Sequence, residues 1–123
     1  MSETVEESGV PVQDPDKRAD LISAIGETRL TELLALVPVE IQKVIGALEK
    51  VQALGAPPPP EVLEALRREA HGLKGVAVNY GLTRLSFTAS AVQDYCRTLG
   101  DIDLLRRKLQ ECSGELAVLL DRS

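Results

Sequence analysis

Apolar positions recur at helical spacing along nearly all of this chain, and no segment alternates as a half-buried strand would. From Val62 onward, Leu66, Ala70, Leu73, Ala77 and Tyr80 form one stripe, predicting a helix over 61–80. A second stripe runs through Leu30, Leu33, Leu34, Val37, Ile41, Val44, Ile45, Leu48 and Val51, predicting a long helix over 27–54. Pro38 lies inside that pattern and removes a backbone donor, so a kink or a break is expected there, a kink being the favoured form. Two further helices are expected over 82–99 and 101–121, separated by Gly100, with Asp101 as the cap of the last. A short helix capped by Asp16 and carrying Leu21, Ile22 and Ile25 precedes them, and Gly26 stops it.

The punctuation between these segments sets the topology. Gly55-Ala56-Pro57-Pro58-Pro59-Pro60 cannot continue a helix and reads as a stiff, extended connector between antiparallel neighbours. Gly81 suits the C-terminal cap of the helix over 61–80. Residues 1–15 are acidic, contain Pro11 and Pro15, lack apolar periodicity, and read as a flexible tail. The expectation is all-α: an antiparallel, up-down-up-down four-helix bundle over 16–123 with a short extra helix at its N-terminal end.

Composition narrows the function. With 123 residues the chain suffices for one domain with a modest core. One Phe, two Tyr and no Trp leave Leu, Ala, Val and Ile to fill it, which suits packed helices. A net charge of −5 argues against nucleic acid and against anionic membranes as partners. The acidic start Met1-Ser2-Glu3-Thr4-Val5-Glu6-Glu7 does not read as a signal peptide, and no apolar run has the length of a membrane span. Cys96 and Cys112 read as reduced, partly buried thiols, with a disulfide as the alternative. One His and two Cys at these positions give no metal-ligand spacing.

His71 is the single histidine, in the run Glu69-Ala70-His71-Gly72-Leu73-Lys74-Gly75. At 100° per residue it lies about 160° from the buried Leu73, so it faces water. Arg67 and Arg68 lie one turn before it, Lys74 and Gly75 one turn after, and Val78 two turns after. An exposed imidazole among cations, beside a position with no side chain, suits a site that meets an anion on a partner's surface. A neutral imidazole nitrogen is a nucleophile, and a histidine of ordinary pKa is largely neutral at pH 7. Lys74 can reach the oxygens of such an anion, and Arg67 and Arg68 can add to that field. Gly75 costs about 1 kcal/mol in a helix interior, a sacrifice better explained if a partner backbone comes close. Counted from Gly81, Gln93 lies at the height of His71 on the returning helix, where its carboxamide can accept from Nδ1–H and leave Nε2 as the nucleophile. Val78 reads as part of an exposed docking patch, Tyr80 as core.

His71, Leu73, Lys74 and Gly75, with Gly81 ten residues after the histidine and apolar Leu85, Ala89 and Val92 beyond it, resemble the signature of histidine-containing phosphotransfer (HPt) domains. The similarity covers roughly residues 16–122, and departs from the family pattern at Val76, Ala77 and Gln93. The resemblance implies a stoichiometric phosphocarrier without ATP-dependent kinase activity. It implies that His71 passes a phosphoryl group between receiver-domain aspartates of response regulators and hybrid histidine kinases. It implies no cofactor and no metal of its own, the receiver supplying Mg²⁺, and a cytoplasmic setting; a monomer is the default for a bundle that closes on itself. Competing readings are an adaptor of the same fold that binds a receiver without transfer, and a fragment of a sensor kinase. The second is disfavoured by Gly72 and Val76, where such kinases carry an acidic residue and a Pro.

Overall fold

The computed structural model describes residues 11–54, 58–98 and 101–121. Six helices and no strands occur among them: α1 (Pro15–Ile25), α2 (Glu27–Leu34), α3 (Val37–Leu54), α4 (Pro60–Asn79), α5 (Thr83–Thr98) and α6 (Ile102–Asp121). Helices α3 to α6 form a closed ring in which α4 packs on α3 and α5, and α6 packs on α5 and α3. Polar pairs fix the antiparallel register. Gln52 Nε2 donates to Asp103 Oδ1 at 2.8 Å and Arg106 lies 3.8 Å from Glu49, so α6 rises as α3 descends. Arg84 at the start of α5 pairs with Glu115 near the end of α6.

The core is aliphatic, as the composition requires. Leu30, Leu34, Ile41, Leu48, Leu66, Leu73, Leu109 and Leu116 are fully buried, and Ala70, Ala77 and Ala89 let α4 and α5 approach. The predicted stripe of α4 is buried at Leu66, Ala70, Leu73 and Ala77, with Val62 and Tyr80 packed at its margins.

Three expectations at element boundaries are corrected. The helix expected over 27–54 is two helices, broken at Ala35 and Leu36, rather than one kinked helix. Pro38 has no N–H for the carbonyl of Leu34 and its ring would strike that group, so the chain turns first and Pro38 falls in the first turn of α3, where neither cost arises. Leu36 N–H bonds the carbonyl of Leu33 at 3.1 Å and closes the turn. The cap of α1 is Asp14, not Asp16: Asp14 is extended before Pro15, and its Oδ1 accepts from the Asp16 N–H at 3.3 Å.

The third concerns the tail. Its first ten residues lie outside the described residues, but residues 11–14 are docked on the α4–α5 turn. Asp14 N–H donates to the Gly81 carbonyl at 2.8 Å, and Gln13 Nε2 to the Tyr80 carbonyl at 2.9 Å. Thr83 Oγ1 donates to the Pro11 carbonyl, and Arg18 Nη1 to Gln13 Oε1 at 3.1 Å. Gln13 is only 8% exposed, so a segment that looks like a polar tail acts as a strap.

Other boundaries match to within a residue or two. Pro59 is extended and Pro60 begins α4, while Gly55, Ala56 and Pro57 of the connector lie outside the described residues, as do Leu99 and Gly100. Asp101 caps α6 by accepting from the Leu104 N–H at 3.1 Å. No disulfide is formed: Cys96 is half-buried, and the buried Cys112 lies 3.5 Å from Thr88 Oγ1. No helix among the described residues is long and apolar enough to cross a membrane.

Candidate functional site

The α4–α5 turn determines which residues of the two helices face each other. Gly81 sits at φ +66, and the Leu82 N–H reaches back to the Ala77 carbonyl at 2.8 Å while the Gly81 N–H reaches Val78 at 3.2 Å. These are the paired bonds of a Schellman termination, which require a left-handed residue at Gly81. A side chain there would also place its Cβ 2.7 Å from Lys17 Cβ and Cγ. The tight turn starts both helices in fixed register, and ten residues back from it His71 meets Gln93.

His71 is exposed on the flank of α4 that looks toward α5, and Gln93 is half-buried opposite it. Gln93 Nε2 lies 3.3 Å from His71 Nδ1. In this orientation the amide donates and Nδ1 accepts, which leaves the ring proton on Nε2. A half-turn of the amide presents Oε1 to Nδ1–H instead and frees the lone pair of Nε2. The sequence reading expects the second arrangement; the structure has the pair together in the first.

Around this pair the other candidates divide. Lys74 is half-buried one turn beyond His71 on the same flank. Gly72 and Gly75 are exposed, and a Cβ on either would meet nothing within 4 Å, so packing within the domain gives no reason for either glycine. Val78 is 56% exposed, two turns from His71. Arg68 is exposed and faces further outward.

Arg67 is engaged. Its Nε donates to Glu64 Oε2 at 3.1 Å and its Nη2 to Glu64 Oε1, a two-pronged pair one turn N-terminal to His71. That bond holds the Glu64 carboxyl below its ordinary value and raises the Arg67 guanidinium. Cys96 on α5 lies close enough to feel both charges; burial pushes its thiol up, with Arg67 opposing. Sequence reasoning missed Glu64, although the Glu-to-Arg step of three residues on one helix face is a signal for such a pair. It also passed over Phe87, which is 65% exposed on α5.

The arrangement offers an accessible imidazole, a partner for one of its nitrogens, a cation one turn away, and an uncovered backbone beside it. No group of three or more His, Cys, Asp or Glu able to hold a metal occurs among the described residues. The family model of the Hpt domain matches residues 28–122. The chain belongs to the Hpt domain family. Members of this family are phosphotransfer modules of two-component phosphorelays, phosphocarriers rather than kinases, and interact with receiver domains. Compared with curated proteins and with solved structures, this Hpt domain gives no match.

Proposed function

We propose that this Hpt domain is a monomeric, cytoplasmic phosphocarrier whose His71 relays a phosphoryl group between receiver-domain aspartates of response regulators and hybrid histidine kinases. The observation that carries the reading is the His71–Gln93 pair: an exposed imidazole with one nitrogen engaged at 3.3 Å and the other facing solvent. Each bundle helix has both its neighbours within the same chain, which supports a monomer.

In the transfer step, Gln93 turns its Oε1 to His71 Nδ1–H, and the Nε2 lone pair attacks the phosphorus of the receiver's aspartyl phosphate in line. The Nε2–P bond forms as the P–O bond to aspartate breaks; the aspartate leaves as a carboxylate, and the ring keeps its proton on Nδ1. The reverse step returns the group to a second receiver. Little covalent work falls to the protein, so positioning and charge stabilisation dominate. Lys74 offsets charge on the phosphoryl oxygens, and Arg67 and Arg68 add to the field. Gly75 lets the partner backbone approach, and Val78 gives it an apolar foothold. The receiver supplies the aspartate and Mg²⁺; the Hpt domain contributes no cofactor and does not use ATP.

The test is label transfer from a ³²P-phosphorylated receiver with Mg²⁺, beside His71→Gln. Acid-labile, alkali-stable label on the wild type alone supports the reading. Receiver binding without transfer would replace it with that of a non-transferring adaptor.

A further inference from the structure

Glu64, Arg67 and His71 follow one another at steps of three and four residues along the flank of α4 that faces α5. Arg67 already makes the bidentate contact that a guanidinium offers to an oxyanion, but the oxyanion is Glu64. Helical side chains lean toward the N-terminus, so the ring of His71 leans over the turn that carries Arg67. Residues four apart have Cβ atoms about 5–6 Å apart, within reach of a side chain as long as arginine. A phosphoryl group on His71 thus arrives beside a guanidinium held by a carboxylate of half its full charge.

We infer that Glu64 is a positioning residue that holds Arg67 in reserve, and that Arg67 exchanges Glu64 for the phosphoryl oxygens once His71 is phosphorylated. This rests on the phosphocarrier reading above. The carboxylate carries one negative charge and the phosphoryl group up to about two, with three acceptor oxygens, so the exchange favours the phosphoryl group. Both partners of the present pair are about half exposed, at 51% and 48%, so neither is locked by packing. Glu64 thereby sets how firmly the phosphorylated state is held: a stronger grip on Arg67 leaves the group easier to pass on.

The test uses the full chain and phosphoramidate as a small donor. Its P–N bond breaks with ammonia as leaving group while the Nε2–P bond of His71 forms, so no receiver is needed. Two signals are followed: the ¹H–¹⁵N resonance of Arg67 Nε–H, assigned with Arg67→Lys, and the ³¹P titration of the phosphohistidine. The groups around the phosphoryl are Glu64, Arg67 and Lys74 on α4, with Arg68 further outward on the same helix, and Gln93 and Cys96 on α5.

Phosphorylation is expected to move the Arg67 Nε–H resonance. Glu64→Gln is expected to lower the midpoint of the second phosphoryl ionisation by about 0.2–0.7 pH unit, the range of exposed ion pairs. That effect should shrink when Arg67→Ala is also present. An unmoved Arg67 resonance, or an equal Glu64→Gln effect in both backgrounds, would overturn the exchange while leaving the phosphocarrier intact. Absence of any N–P resonance, or its persistence in His71→Gln, would overturn the phosphocarrier reading and the exchange with it.

Discussion

Gln93 Nε2 stands 3.3 Å from His71 Nδ1 across the α4–α5 interface, so the one histidine of the chain has its ring tethered on one side and open on the other. The tether joins residues 22 apart in sequence and depends on the tight turn at Gly81 for its register. An amide is suited to the task because it offers a donor and an acceptor on one fork, and a half-turn serves either tautomer.

Replacing Gln93 by Ala should therefore slow phosphoryl transfer while leaving the fold intact. A single hydrogen bond is worth about 0.5–1.5 kcal/mol net, which corresponds to a loss of roughly two- to twelve-fold. Single-turnover transfer and the ¹⁵N shifts of the His71 ring check this together. A variant with the wild-type rate and tautomer ratio would show that Gln93 is a bystander.

Gly75 should separate stability from function. Its Cβ would meet open space, so Gly75→Ala is expected to raise stability by up to about 1 kcal/mol through helix propensity. If a receiver backbone must come close at this point, the same methyl slows transfer, and Gly75→Leu slows it further. Urea unfolding and transfer rates on both variants are the check; unchanged transfer in Gly75→Leu would remove the close-approach role.

Gly81 should behave in the opposite way. With φ at +66 and Lys17 carbons 2.7 Å from any added Cβ, Gly81→Ala is expected to cost about 2–4 kcal/mol, from left-handed strain and overpacking together. The urea midpoint should fall, and the strap through Gln13 and Asp14 should lose protection in hydrogen exchange. A loss below about 0.5 kcal/mol would mean that the turn relaxes freely.

Alkaline pH offers a check on the packing of α5. Burial raises the Cys96 thiol and the Tyr95 phenol above their ordinary values. With folded values raised, these groups keep their protons in the folded state after the unfolded chain has begun to lose them. Their contribution is complete below pH 9 and declines as pH climbs through 9 and 10. Stability measured by urea should fall over that window, and less so in Cys96→Ser. Iodoacetamide should also modify Cys96 slowly at pH 7.5, because the reactive thiolate is scarce.

The helices of the bundle were legible because each buries one stripe, and the stripe of Leu66, Ala70, Leu73 and Ala77 is visible in the spacing alone. His71 was legible for the same reason, as the polar residue opposite a buried Leu73. Its partner on α5 followed from counting outward from Gly81, which works only because the turn is tight. The strap was not legible. Gln13 is buried through bonds to the Tyr80 carbonyl and to Arg18, and no local periodicity signals a contact spanning 67 residues. The break before Pro38 was half legible: a proline removes a donor, but whether the chain kinks or restarts depends on what the freed turn packs against. The orientation of the Gln93 amide lies beyond pattern altogether, since both ends of the fork fit.

A chase experiment tests most directly whether His71 both takes and gives a phosphoryl group. The domain would be labelled from one phosphorylated receiver, separated from it, and mixed with a second receiver and Mg²⁺. Label should leave the domain and appear on the aspartate of the second receiver, with His71→Gln never labelled at the start. Label that stays on the domain until it hydrolyses, or that is found on His71→Gln, would contradict the account.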